Sequence, residues 1–163
     1  MSILFNAETI FEIGVQIEKN GRAFYLEAAA NAADDSLKAF LTELADWEKA
    51  HVTLFERMQA ELPDTMRADN LFDPANEFYA YLQAAANTHV FVGTIDVAAL
   101  VRQCQSPAAI FELALRFEKD SVVYYATMKM MVADHLGREK IDQLIHEELK
   151  HIDILNKQRQ KFA

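Results

Sequence analysis

Trp47-Glu48-Lys49-Ala50-His51 and, one hundred positions later, Glu147-Glu148-Leu149-Lys150-His151 share one spacing, Glu-x-x-His. A single Glu-x-x-His is weak in a chain with 14 Glu and 5 His; a shared offset is not. The same offset returns Ile10-Phe11-Glu12-Ile13 as Ile110-Phe111-Glu112-Leu113 and Ile17-Glu18-Lys19 as Phe117-Glu118-Lys119, with Tyr25 returning as Tyr125. Two separate stretches in one register mark a duplicated helical hairpin, whose carboxylates and histidines recur with it.

The 163 residues suit a single domain spanning 1–163, large enough to bury a substantial core. With 52% apolar residues, 4 Gly and 3 Pro, the composition favours helices over short strands joined by tight turns. A net charge of −9 without a basic cluster removes the footprint expected for nucleic acid or an anionic membrane surface. Cys104 is the sole cysteine, so neither an internal disulfide nor a Cys-x-x-Cys site can form. No secretory signal pattern and no run of about 18 apolar residues is present, and the expected location is cytoplasmic.

The first helix is expected from Asn6 or Glu8 to about Ala33, with Asn6 as cap. Its stripe, Phe11, Gly14, Glu18, Gly21, Tyr25, Ala28, carries a carboxylate at its centre. Asp34-Asp35-Ser36 caps a second helix, from about Ser36 to Glu61, with the stripe Leu41, Leu44, Glu48, His51, Phe55, Met58. Residues 62–106 have no counterpart in the repeat. Pro63 and Pro74 punctuate them, helices are expected at Asn76–Asn87 and Ile95–Cys104, and the length suggests a crossover along the bundle. Ser106-Pro107 starts the third helix, which runs to about His135 with Gly137 placed to end it; its stripe is Phe111, Ala114, Glu118, Ser121, Tyr125, Met128. The last helix, about Arg138–Gln160, presents Ile141, Leu144, Glu148, His151, Leu155. The two hairpins are thus about 6–61 and 107–160.

Four helices each place Glu mid-stripe, and two add His one turn on. Burying an ionised carboxylate without a partner costs several kcal/mol, and no Lys or Arg shares these stripes. Glu18, Glu48, Glu118 and Glu148 match the charge of two divalent ions, with His51 and His151 adding one nitrogen each. Carboxylate plus imidazole suits Fe, Mn or Zn better than Ca or Mg. The competing account is a polar core network without metal.

Glu18…Glu48-x-x-His51…Glu118…Glu148-x-x-His151 resembles the rubrerythrin branch of the ferritin-like di-iron carboxylate proteins, as do Glu18-Lys19…Tyr25 and Glu118-Lys119…Tyr125. The resemblance covers all four bundle helices. It implies an all-α, ferritin-like four-helix bundle with a long crossover between helices 2 and 3. It also implies a non-haem di-iron centre reacting with hydrogen peroxide or dioxygen, held by all six residues, without deciding which carboxylates bridge. Tyr25 and Tyr125 would donate hydrogen bonds beside the ligands, ordinary core tyrosines being the other reading. Two departures stand out. One cysteine cannot build the family's four-cysteine rubredoxin-like domain, so electrons would come from a separate donor protein. The family's extra Glu, three residues after the third-helix ligand, is Ser121 here, with Gly21 as its repeat mate; the redox-linked ligand shift loses its carboxylate. The expected function is therefore a di-iron oxidoreductase, the alternative a metal-handling protein (ferroxidase-like or buffering) without sustained turnover; a purely structural bundle is a third reading. A homodimer is expected.

Around this set, Glu147 is a candidate to orient a histidine across the core, and Trp47 to pack between helices or screen the site from solvent. Glu12 and Glu112 read as surface or helix-start residues, and His89, His135 and His146 as surface or capping residues. Phe78, Tyr79 and Tyr81 read as a cover or subunit contact. Cys104 reads as a buried small side chain.

Overall fold

A computed structural model of the protein describes residues 7–62, 80, 96–132 and 137–162. They form five helices: α1 (Ala7–Asn31), α2 (Asp35–Ala60), α3 (Val97–Gln103), α4 (Pro107–Met131) and α5 (Arg138–Phe162). None of these helices is long and apolar enough to cross a membrane. Asn6, the Asn76–Asn87 helix apart from the helical Ala80, and Pro63, Pro74, Phe78, Tyr79, Tyr81, His89 and His135 lie outside the described residues.

Local chemistry sets two helix starts. Asp34 accepts a hydrogen bond from the Leu37 amide at 2.8 Å, capping α2. Ser106 accepts from the Ala109 amide at 3.3 Å and Pro107 follows at the first helical position of α4. The end of α4 departs from expectation. Helix stops at Met131, Val132 turns to extended backbone, and Arg138 Nε donates to the Val132 carbonyl at 2.9 Å. A side chain from the next helix thus satisfies a carbonyl that the helix end leaves open. Gly137, with φ of 98°, instead leads into α5, its carbonyl accepting from the Lys140 and Ile141 amides at 2.9 and 3.2 Å. The α1 boundary also moves inward, to Asn31, whose side chain donates back to the Glu27 carbonyl at 2.8 Å.

The three-residue link between α1 and α2 makes an antiparallel hairpin, with Phe11 against Phe55 at 6.3 Å between ring centroids. In the second hairpin, Phe111 at the start of α4 stacks on Phe162 at the end of α5, 5.9 Å apart. Phe111 also stacks on Phe40, near the start of α2, at 6.1 Å, so α2 and α4 begin at the same end of the bundle. The chain between Ala60 and Pro107 must therefore return along a helix of 26 residues, about 39 Å. The short α3 lies against α1, with Val101 buried.

Every residue of the four stripes read from the sequence is buried. Small residues admit large rings: a Cβ added at Gly21 would lie 2.3 Å from Phe117 Cζ, and one at Gly14 would lie 3.2 Å from Phe55. Phe117 in turn packs edge-on to Tyr25 at 6.1 Å. Gly21→Ala is expected to cost about 1–3 kcal/mol from overpacking, outweighing a helix-propensity gain of about 1 kcal/mol. Gly14→Ala should cost less, because its clash is milder. Thermal melting of both variants checks this ordering; a Gly21→Ala protein more stable than the parent contradicts the packing.

Candidate metal centre

The stripes bring Glu18 (α1), Glu48 and His51 (α2), Glu118 (α4), and Glu148 and His151 (α5) together at mid-bundle, all buried. The arrangement has an approximate two-fold relation. His51 Nδ1 lies 3.4 Å from Glu18 Oε2, and His151 Nδ1 lies 3.4 Å from Glu118 Oε2. Glu148 spans both halves, with Oε1 3.1 Å from His51 Nδ1 and Oε2 3.0 Å from His151 Nδ1. The two imidazoles stack, 5.5 Å between centroids and 16° between planes.

Two four-residue groups offer ligand atoms that all lie within 4.8 Å of one another. Glu18, Glu48, His51 and Glu148 make one; Glu48, Glu118, Glu148 and His151 make the other. Glu48 and Glu148 belong to both. Both oxygens of Glu18 and of Glu48, Glu118 Oε2, Glu148 Oε1 and His51 Nδ1 are buried without an aligned hydrogen-bond partner. Among the described residues no Lys or Arg pairs with these carboxylates. Buried polar atoms are normally satisfied, so this concentration of unsatisfied acceptors on one point fits a pair of cations. The oxygen-and-imidazole donor set fits Fe, Mn or Zn.

Without metal, protons are drawn into the same space. Burial, then the charge of Glu18, pushes Glu48 well above the carboxylate range; burial, then Glu148, does the same to Glu118. Glu148 moves the other way: burial opposes its ionisation, but His51 and the surrounding hydrogen bonds prevail and hold it low. Burial disfavours charge on both imidazoles, yet the carboxylates outweigh it. His151 is raised to about 9 by Glu118 and Glu148, and His51 well above 6.5, chiefly by Glu148 and Glu18.

Tyr25 donates to Glu118 Oε1 at 2.5 Å, across the bundle; burial and the Glu118 charge keep its phenol protonated. The hydroxyl of Tyr125 is buried without a partner among the described residues. Glu147 reaches over the centre, its Oε2 3.0 Å from His51 Nε2, and that bond holds the Glu147 carboxyl below its usual range. Trp47 stacks on His151, 4.7 Å between centroids and 14° between planes. Trp47, Ala50, Glu147, Lys150 and Ile154 surround an open groove of about 310 Å³ that reaches both histidines.

Outside this cluster, Glu12, Glu112 and His146 are exposed, and His146 Nδ1 lies 2.7 Å from the Asp142 carbonyl. Cys104 is only partly buried, packed against the edge of the core just past the end of the short α3, with its thiol donating to the Leu100 carbonyl at 3.5 Å. One residue escaped the sequence reading. Buried Tyr124 donates to the Ile10 carbonyl at 3.0 Å, joining α4 to α1. Its repeat mate is Phe24, so the duplication carried no signal for a hydroxyl there.

These shifts set a pH dependence for the metal-free protein. A histidine raised from 6.5 to about 9 contributes stability that is full below about pH 6.5 and is lost as pH rises through about 9. The raised Glu48 and Glu118 act in the same sense, while the contribution of Glu148 is lost only in acid, below its ordinary 4.5. The melting temperature of metal-free protein should therefore fall from pH 6.5 to 9. Excess divalent metal should reverse the slope, because deprotonated ligands bind more tightly. A flat metal-free profile would contradict the proton-filled centre.

No family model matches the sequence, and no curated protein matches it. Among solved structures, a protein of Thermotoga maritima provisionally described as a ferritin-like diiron-carboxylate protein superposes with a TM-score of 0.74, over 100% of both chains, at 18% identity. Together with the all-helical architecture, this likeness establishes that the chain has the ferritin-like helical-bundle fold.

Proposed function

We propose that the protein is a di-metal carboxylate protein with iron as its metal, and that it is a rubrerythrin-like oxidoreductase acting on hydrogen peroxide or dioxygen with electrons from a separate donor protein. The observation that carries this reading is the pair of overlapping ligand groups sharing Glu48 and Glu148, with so many buried oxygens unsatisfied. Bound iron would supply redox electrons and Lewis acidity toward an O–O bond.

The chain's own residues define how such a centre is held. Glu48 and Glu148 belong to both ligand groups and would help to hold both ions, while Glu18 with His51 and Glu118 with His151 would each serve one. The Tyr25 hydroxyl occupies Glu118 Oε1, leaving Oε2 turned to the centre, and so fixes which oxygen is offered. Aromatic packing from Phe55 on Tyr125 and from Phe117 on Tyr25 keeps the flanks apolar and excludes water from that side. The groove beside Trp47 leaves the histidine side open to small molecules. Ser121 is buried where the resembling family has a carboxylate, and the Phe117 ring covers its counterpart Gly21, which supports a ligand set limited to the six residues.

Anaerobic Fe(II) titration of metal-free protein should reach two ions per chain, and one equivalent of hydrogen peroxide per centre should oxidise them rapidly, followed by near-ultraviolet absorbance. With a reduced electron-carrier protein, consumption well beyond one equivalent supports an enzyme; oxidation that stops there supports iron handling instead. No binding would sink the di-metal reading. Single substitutions add a sharper expectation. Glu48→Gln or Glu148→Gln should weaken both ions, whereas Glu18→Gln or Glu118→Gln should leave one, measured as bound metal after desalting. Glu48→Gln should also raise the melting temperature of the metal-free protein, because an amide is buried neutral without having to take up a proton.

A further inference from the structure

The duplication that pairs the candidate ligands fails at the residue before each of the two shared glutamates. Position 147 is Glu and position 47 is Trp. Glu147 Oε2 sits 3.0 Å from His51 Nε2, on the ring edge opposite the nitrogen that faces Glu18 and Glu148. Trp47, at the matching place in the other half, lies flat on His151 at 4.7 Å. We propose that the two metal positions are unequal, the one between Glu18 and His51 binding more tightly and filling first, because Glu147 backs His51 while Trp47 only stacks on His151. The proposal rests on the di-metal reading above.

The physical difference lies in what each neighbour can do to an imidazole. A carboxylate accepting from Nε2–H places the ring proton on Nε2 and leaves Nδ1 as the lone-pair nitrogen, aimed at the ligand cluster. It also makes that nitrogen a stronger donor to a cation. An indole has an N–H and no acceptor, so it can neither select this tautomer nor pass on negative charge. Stacking holds the His151 ring in place but leaves its electronics alone. Among the described residues, no carboxylate reaches His151 Nε2; its bonded contacts are Nδ1 to Glu118 and Glu148. The Glu18 and Glu118 distances to their histidines are equal at 3.4 Å, whereas Glu48 lies 3.8 Å from His51 and Glu148 3.0 Å from His151, so the ligands alone do not favour the His51 side and the preference is assigned to Glu147. Glu147 is thus a positioning residue for His51.

Stepwise binding alone would prove little, since two cations sharing Glu48 and Glu148 repel each other. A double-mutant cycle isolates Glu147. Co(II) affinity is measured by chelator competition on the full chain, in His151→Ala, which keeps the His51 side, and in His51→Ala, which keeps the other. The expected result is at least about tenfold tighter binding by His151→Ala. Adding Glu147→Leu should weaken that variant by about 10–100-fold, the usual effect of removing a carboxylate behind a ligating histidine, and weaken His51→Ala far less, since Glu147 acts on His151 only through its charge. The Glu147 side chain is 51% exposed, so metal-free melting should be little altered and a folding defect is recognisable. Equal affinities for the two histidine variants, or the same loss from Glu147→Leu in both backgrounds, would overturn the inequality while leaving a di-metal centre intact. Failure of the unaltered chain to bind Co(II) at all would overturn both readings together.

Discussion

Four carboxylates meet at the middle of this bundle, and among the described residues no lysine or arginine balances them. Each ionised carboxylate taken from water costs on the order of several kcal/mol, and a domain has only about 5–15 kcal/mol of stability in total. The rest of the structure has to live with that constraint. Apolar layers on either side of it, Phe11, Phe55 and Tyr125 toward one end and Tyr25, Phe111 and Leu155 toward the other, provide the burial that holds the helices around it. Between those layers the charge is balanced locally, by protons and imidazolium in the metal-free state or by cations. Apolar residues of the same size would make a more stable bundle, so the cluster is a cost the fold carries for what the cluster binds.

The two-fold relation explains how six candidate ligands from four helices reach one place. The equal 3.4 Å distances of Glu18 to His51 and Glu118 to His151 are what a duplicated hairpin produces when its copies face each other. The neighbours of the ligands do not keep this relation. Tyr25 holds Glu118 while Tyr125 has no partner for its hydroxyl among the described residues; Tyr124 answers to Phe24, and Glu147 to Trp47. A candidate ligand lost from one half would disable the proposed shared centre. A change beside a ligand only tunes it, which leaves those positions free to diverge.

What could be read from the sequence follows the same division. The stripes were readable because burial has the helix period, and the offset of one hundred aligned them without any knowledge of contacts. Asp34 and Ser106 were readable as helix starts because capping is a local bond. The end of α4 was not, since it depends on Arg138 reaching back to Val132, and Gly137 was drawn to the wrong helix for that reason. Which carboxylates are shared was equally hidden: Glu18 and Glu48 look alike in the stripes, and only reach across the bundle separates them. Glu147 could be suspected from its place beside Glu148. The stacking of Trp47 on His151 had no such signal, because it joins two helices at an angle that no spacing records.

The long connection is itself a consequence of where the ligands lie. Phe40 against Phe111 places the starts of α2 and α4 at one end, and the Tyr124–Ile10 bond runs from late α4 to early α1, so those two helices are antiparallel. Lys140 at the start of α5 meets Glu61 just past α2, so that pair is antiparallel as well. A two-fold that relates antiparallel mates lies across the bundle, not along it. Under such a relation, mates meet at one height only when each lies near the middle of its helix, and Glu18, Glu48, Glu118 and Glu148 all do. A short link after α2 would instead have started the second hairpin at the opposite end, with α4 parallel to α1 and the symmetry axis along the bundle. The return of the chain over about the length of a helix is therefore what turns the second copy over and sets its Glu-x-x-His against that of the first.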